Sequence, residues 1–430
     1  MEPLVFDASE IKNSARSTHF QACHLRTMTS ASIYLTSIRQ CFLVRCLILL
    51  TTIPALSGAF HLECRKRFPN SPLMLSSVST GSARDLLYQD QQNAMLRRAL
   101  VEEEILRSGN KLEELKASTM RIPAQKAGTG FATKGQSPLE RLADAQAKII
   151  RKEGVLRIDA ALSPGAADRL REHVLEQQRI AADRTARDAG ISQAYYGVEN
   201  QRQHRCDLQL SLLRGGYAAD RGGDVGAVAS HPLADALQEL LGKDGSLRYV
   251  YENLVTLEGE FYELASVITD PGSLRQQIHP DLPFKEVAPL YVIFLALQDV
   301  DEAMGPTTFL LRTHTKKQND MFNDQSKKDE QLRKAQPRTA TLKKGDAVLF
   351  DARVLHCGNA NDAERGSTRA LFNFSFRNPK VKASLGYEGS IRPGYCGEMS
   401  LGDISQVLLE YEDESNKDPF AKYLDGLPKY

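Results

Sequence analysis

From about residue 205 onward, short apolar runs recur along the chain: HRCDLQLSL, LRYVYENLVTLEG, FYELASVI, PLYVIFLALQDV, TTFLLRTH, DAVLFDARVLHCG and RALFNFSFR. Each is rich in β-branched, aromatic or alternating residues and is bounded by Gly, Pro or Asp, which predicts a strand. Many short strands with few helices between them predict a sandwich or barrel. Ahead of them the pattern is helical. In SPLERLADAQAKIIRKEG, Ser137 can cap, Pro138 suits the first helical position, and Glu140 completes a capping box. GVLRIDAAL then predicts a short strand, and Ser163 and Pro164 open a second helix in SPGAADRLREHVLEQQ. The expected fold class is therefore mainly β with flanking helices (α+β), in one domain over 137–430.

The first 136 residues follow other rules. Between Ile11 and Leu62 there is no Asp or Glu, basic residues recur, and the stretch CLILLTTIPALSGA, Cys46 to Ala59, is uncharged. It is shorter than the about 20 apolar residues a bilayer span needs, and Thr and Pro break it. Basic residues before it and Ser57, Gly58 and Ala59 after it fit a signal core, so residues 1–60 are expected to be a targeting segment. A Ser-rich, acid-free tail follows over 64–84, and the whole resembles the bipartite presequences of complex plastids. Plastid import is the expectation; a secretory signal or a single membrane anchor is the alternative. Residues 61–136 would hold the presequence remainder, an amphipathic helix over 84–118 interrupted near Gly109, and a Gly/Lys/Thr linker. The helix, with its many charges, is expected to be a solvated spacer. No stable membrane span is expected in the mature protein.

Charge and cysteines narrow the function. A net charge of +1 supplies no field for nucleic acid, so none is expected as a partner. The seven cysteines contain no Cys-x-x-Cys pair, which argues against a disulfide framework or a zinc ribbon.

The chemistry concentrates in GSLRQQIHPDLPF, Gly272 to Phe284, where His279 and Asp281 lie two apart. By itself a His-x-Asp is weak: chance supplies it on the order of once in two such chains. On an extended segment, however, both side chains point to the same side and can reach one metal ion. Pro280 removes a ladder donor and places the pair at a strand edge or end. His356 closes a predicted strand before Gly358. Two histidines and one carboxylate make the facial triad of non-haem Fe(II), although zinc could take the same ligands. Arg369 opens the next strand, and a guanidinium aimed into a barrel needs an anionic partner.

Over about 138–395 the chain resembles the phytanoyl-CoA dioxygenase family of Fe(II)/2-oxoglutarate oxygenases. Five segments carry the likeness in order: GVLRIDAALSPGAADRLREHV, ITDPGSLRQQIHPD, VDEAMGPTTFLLRTH, KKGDAVLFDARVLHCGNAN and RALFNFSFR. The resemblance implies a double-stranded β-helix (jelly roll, cupin-like) core. It implies His279, Asp281 and His356 as iron ligands and catalytic residues, and Arg369 as the anchor of the 2-oxoglutarate cosubstrate. It further implies molecular oxygen as co-reactant, ascorbate as reductant, succinate and CO2 as products, and hydroxylation of a small organic substrate, such as a lipid or secondary metabolite. Related halogenases lack a carboxylate at the position of Asp281, so its presence favours hydroxylation. Where the family more often has Pro-Gly-Ser-His, this chain has Leu-Arg-Thr-His over 311–314, which puts Arg312 in a substrate-side loop.

Other readings compete. A jelly-roll binding protein could keep the pocket without turnover. Arg365, in the polar loop NDAERGST, competes with Arg369 but is expected at the surface. Gln276 and Gln277 are candidates to support the ligands. His314 is expected to be a loop or core residue, and Cys357 to point away from the metal by strand alternation. His61 to Glu63 repeats the ligand pattern without strand context. The charged stretch 316–338 is expected to be a solvated insertion or a lid.

Overall fold

The computed structural model describes residues 83–109, 112–116, 137–187, 204–217, 231–386, 399–411 and 418–420. The segment expected to be a targeting sequence, the expected linker and the tripeptide at His61 lie outside these residues. Among the described residues, no helix is long and apolar enough to cross a membrane.

Among the described residues, ten strands form two sheets. The larger sheet runs β2 (Val155–Ile158), β8 (Ala347–Asp351), β5 (Leu290–Ala296), β10 (Arg369–Arg377), β4 (Glu260–Thr269), β3 (Arg205–Gln209), with all neighbours antiparallel. The smaller runs β1 (Glu113–Glu114), β7 (Pro337–Thr339), β6 (Thr307–Leu310), β9 (His356–Gly358), parallel only at the β1–β7 pair. An isolated antiparallel bridge between His279 and His356 adds the 279 segment beside β9. From β4 to β10 the chain thus crosses repeatedly from one sheet to the other, which is the connectivity expected of a double-stranded β-helix.

The larger sheet is buried on both faces, and its alternation says which side each residue serves. In β10, Ala370, Phe372, Phe374 and Phe376 join the cluster shared with the helices, while Leu371 faces the cluster between the sheets. In β5 and β8, Ile293 and Leu349 face the helices, and Val292 and Phe350 face inward.

The helices over that outer face are α2 (Pro138–Glu153), α3 (Pro164–Arg187), α4 (Pro232–Leu241), α5 (Arg248–Val255) and α8 (Leu401–Leu409). The capping box holds: the Glu140 amide donates to Ser137 Oγ at 3.2 Å, and the Ser137 amide donates to Glu140 Oε2 at 2.6 Å. One expected strand is a helix. LRYVYENLV forms α5, because its buried residues Val250, Tyr251, Leu254 and Val255 repeat at helical spacing. The β-preference of valine and tyrosine yields there to packing against the sheet.

The segment expected to be a solvated spacer is also different. α1 (Ala83–Gly109) packs on the domain, with Ile105 and Leu106 in a cluster with Ile278, Leu310 and Leu355. The 316–338 stretch folds as α6 (Lys316–Asn323) and α7 (Gln325–Lys334), and Phe322 and Leu332 join the same cluster.

Phe309 links both sheets to the ligand region. It is fully buried, and its ring lies 5.1 Å from that of Phe350 and 5.7 Å from His356. Phe309→Ala is expected to destabilise the domain by about 3–5 kcal/mol, read as a lowered urea midpoint.

Candidate metal centre

His279 sits in an extended segment that lies beside β9. The His279 amide donates to the His356 carbonyl at 3.0 Å, and the His356 amide donates back to the His279 carbonyl at 2.9 Å. The next amide to bond on this side is that of Leu282, to Ala352 O at 3.0 Å. Pro280 and its missing N–H therefore fall in a gap of the ladder. Asp281, two residues on, takes the same side as His279. His356 is delivered by a tight turn after β8. The Val354 amide donates to Asp351 O at 2.8 Å, and the Arg353 guanidinium pairs with the Asp351 carboxylate, with Nε 2.9 Å from Oδ1.

The three side chains converge. Asp281 Oδ1 lies 3.8 Å from His279 Nε2 and 3.5 Å from His356 Nε2, and the candidate ligand atoms all lie within 4.8 Å of one another. Each histidine Nδ1 is held by a backbone carbonyl, Gln277 O at 2.7 Å for His279 and Val354 O at 3.0 Å for His356. A carbonyl only accepts, so each Nδ1 carries the proton and each Nε2 keeps its lone pair toward Asp281. This tautomer, assigned from the hydrogen bonds, is the one a metal ligand needs.

The electrostatics agree with that donor set. Burial pushes the His356 imidazole down to about 4, against the pull of the Val354 carbonyl. Burial, then the neighbouring His356, takes His279 to about 4, although Asp281 draws it upward. Both are neutral at pH 7. Desolvation by the surrounding protein raises the Asp281 carboxyl although part of its surface is open; His279 and Arg205 partly offset the rise, and Asp207 adds to it. A divalent cation would supply the missing positive charge, so the residues fit a metal ion.

Arg369 is buried at 2% exposure, at the inner start of β10. Its Nη1 donates to the Gly305 carbonyl, its Nε has no partner, and no carboxylate lies within ion-pair distance of it among the described residues. Burial, then the nearby Arg205, lowers it to about 9. It borders an apolar cavity lined by Phe294, Val300, Phe309, Val348 and Leu371. The Gly305 backbone that receives it has φ +67, and a Cβ there would lie 2.5 Å from Asn359 O, so glycine is required.

Arg205 is a residue that the sequence reading missed. It faces Thr269 of β4, which in turn faces Arg369 of β10, so the three form one row across neighbouring strands. Its guanidinium lies beside Gly358, where a Cβ would come 3.2 Å from Nη1. Its charge acts on all three candidate ligands. The signal was the alternation of HRCDLQL, which sets Arg205, Asp207 and Gln209 opposite Cys206, Leu208 and Leu210.

The remaining candidates separate from the centre. Arg365 is exposed and pairs with Asp362, Nη2 to Oδ2 at 2.7 Å. Arg312, at φ 64, forks onto Glu153 at 2.7 and 2.8 Å and so ties its loop to α2. His314 is buried, with Nε2 3.1 Å from the Arg151 carbonyl. Cys357 points away from the ligands into the α1 cluster. Gln276 Oε1 accepts from the Gly358 amide at 2.8 Å, and Gln277 Nε2 donates to Met95 O at 3.1 Å.

The sequence model of the family described as phytanoyl-CoA dioxygenase (PhyH) matches residues 150–369, just over half of the chain. Similar solved structures include the non-heme alpha ketoglutarate dependent epimerase SnoN from nogalamycin biosynthesis, at 16% identity and TM-score 0.34, covering 58% of this chain and 94% of that one. The carbocyclase SnoK from the same biosynthesis matches at 17% identity and TM-score 0.36, covering 56% and 85%. HygX from Streptomyces hygroscopicus, solved with nickel, 2-oxoglutarate and hygromycin B, matches at 12% identity and TM-score 0.35, covering 58% and 96%. No curated protein matches the chain.

Acid should destabilise the metal-free protein. His173, His279 and His356 each stand at about 4 in the fold, with burial as the first cause. Unfolded histidines take up a proton near 6.5, so the unfolded chain binds more protons between about pH 6.5 and 4. Stability is present above that window and lost as pH falls through it; Asp281, shifted upward, opposes the trend in part. The urea midpoint without metal is expected to fall from pH 7 to pH 5.

Proposed function

The chain belongs to the phytanoyl-CoA dioxygenase family of Fe/2-oxoglutarate oxygenase-type enzymes, and on that premise we propose that it hydroxylates a small organic substrate. His279, Asp281 and His356 would hold Fe(II), and Arg369 would grip the far carboxylate of 2-oxoglutarate. The observation that carries the reading is the pairing of two features. A three-residue donor set with its Nε2 atoms aligned lies in the same barrel as a buried guanidinium that has no anion among the described residues. An uncompensated buried charge is costly, and a dicarboxylate cosubstrate would relieve the cost with bidentate bonds.

When bound, the iron would activate oxygen with electrons supplied by 2-oxoglutarate, giving succinate, CO2 and substrate oxidation. The protein's own part is positional. Val354 O and Gln277 O fix the two imidazoles, Gly305 O orients Arg369, and Phe309 and Phe350 exclude water beside His356. Arg205 adds a second positive charge to the row with Arg369, which suits a dianion rather than a monoanion. The carboxylate of Asp281 fills a ligand position that halide would otherwise take, which supports hydroxylation. Ascorbate would keep the iron reduced. The acid-free stretch from Ile11 to Leu62, with its uncharged core, supports plastid import of the precursor.

Purified protein with Fe(II), ascorbate, oxygen and 2-oxoglutarate is expected to form succinate, even uncoupled from substrate. Arg369→Ala should raise the 2-oxoglutarate KM about 10- to 100-fold, since a charge-assisted bond is worth roughly 1.5–3 kcal/mol. An unchanged KM transfers the anchor role elsewhere. No succinate, together with parental Fe(II) binding by Asp281→Ala, favours a binding protein that keeps the pocket.

A further inference from the structure

We propose that Glu102, on a helix outside the family-matched segment, is a positioning residue that sets the ligand-bearing segment through the backbone amide of Ile278. The proposal rests on the reading of His279, Asp281 and His356 as metal ligands. Glu102 lies in α1, and its side chain is fully buried. Its Oε2 accepts the Ile278 amide at 2.7 Å, and Ile278 directly precedes His279. Its Oε1 is 3.0 Å from Arg98 Nε and 3.0 Å from Lys328 Nζ of α7. Both oxygens are therefore committed, one to the ligand segment and one to two cations.

The arrangement is specific to that segment. The same helix accepts two more side chains from it: Arg275 Nη1 donates to Ala99 O at 2.7 Å, and Gln277 Nε2 donates to Met95 O at 3.1 Å. Arg275 Nη2 also reaches Cys357 Sγ at 3.2 Å, the residue after His356. About two turns of helix, Met95 to Glu102, thus address the chain beside both histidines. The 279 segment bonds β9 through the Gln276 amide, to Gly358 O at 2.9 Å, and through the His279 amide, to His356 O at 3.0 Å; the Ile278 amide falls between these two rungs, and Ile278 is 2% exposed. Glu102 supplies the acceptor that fixes where the 279 segment stands relative to β9, and hence the spacing of the ligand atoms.

The test is Co(II) titration of the full chain without 2-oxoglutarate, followed by the d–d absorption spectrum, with folding checked by circular dichroism. Glu102→Gln keeps both the reach and the acceptor, and is expected to bind Co(II) within about threefold of the parent. Glu102→Met keeps the volume but loses the acceptor, and Glu102→Asp keeps the charge but loses the reach. Both are expected to bind about tenfold more weakly or worse, the scale seen for groups that orient metal ligands, and to shift the spectrum. If Met does not fold, Asp decides. Parental affinity and an unchanged spectrum in folded Met or Asp variants overturn the proposal, as does a Gln variant as weak as Met. Asp281→Ala runs alongside: if it binds Co(II) like the parent, the metal site itself is wrong, whereas its loss with unaffected Glu102 variants rejects only the role of Glu102.

Discussion

The centre depends on one reciprocal pair of backbone hydrogen bonds, His279 to His356 and back, at 3.0 and 2.9 Å. It brings together two residues distant in sequence and sets their rings 4.7 Å apart. Alternation then fixes the rest. Asp281 shares a side with His279, while Cys357 turns to the opposite face from His356. Together with the Gln276 amide, which donates to Gly358 O at 2.9 Å, that pair adds the 279 segment to the smaller sheet beyond β9.

Charge is distributed unevenly around this pair. The imidazoles are neutral, Asp281 is held up by burial, and Arg205 and Arg369 stand in one row with Thr269 between them. Buried like charges repel, which is why Arg205 lowers Arg369. A divalent metal and a dicarboxylate together would neutralise both halves of the arrangement. Arg205 already has Asp207 at 3.7 Å, so the charge without a counter-ion among the described residues is that of Arg369.

Local signals carried the centre in the sequence because its members act through their own strands. His279 and Asp281 declare a shared side by being two apart, His356 ends an apolar run, and Arg369 begins one. Arg205 was missed because its partner row runs across β4, a register no local pattern reveals. α5 was misread because valine and tyrosine favour strands while their buried spacing favours a helix. α1 was misread for a related reason. Arg98, Glu102, Lys328 and Asp329 resemble solvated charges, yet they pair with one another across α1 and α7. The decisive partner of Glu102 is an amide hydrogen of Ile278, and residue types do not announce backbone partners.

That packing also answers a structural difficulty. The 279 segment is the outer member of the smaller sheet, and an outer strand presents unpaired backbone groups to whatever approaches. Charged side chains and a covering helix are the usual defences, and here one element supplies both. The Ile278 amide is taken by Glu102, and the side chains of Arg275 and Gln277 close onto carbonyls of the same helix. Covering the edge from outside leaves the inward face of the segment, with His279 and Asp281, open to the barrel. The edge that most needs protection is also the one that carries His279 and Asp281, so a single helix covers the edge and braces the candidate donor set through the same contacts.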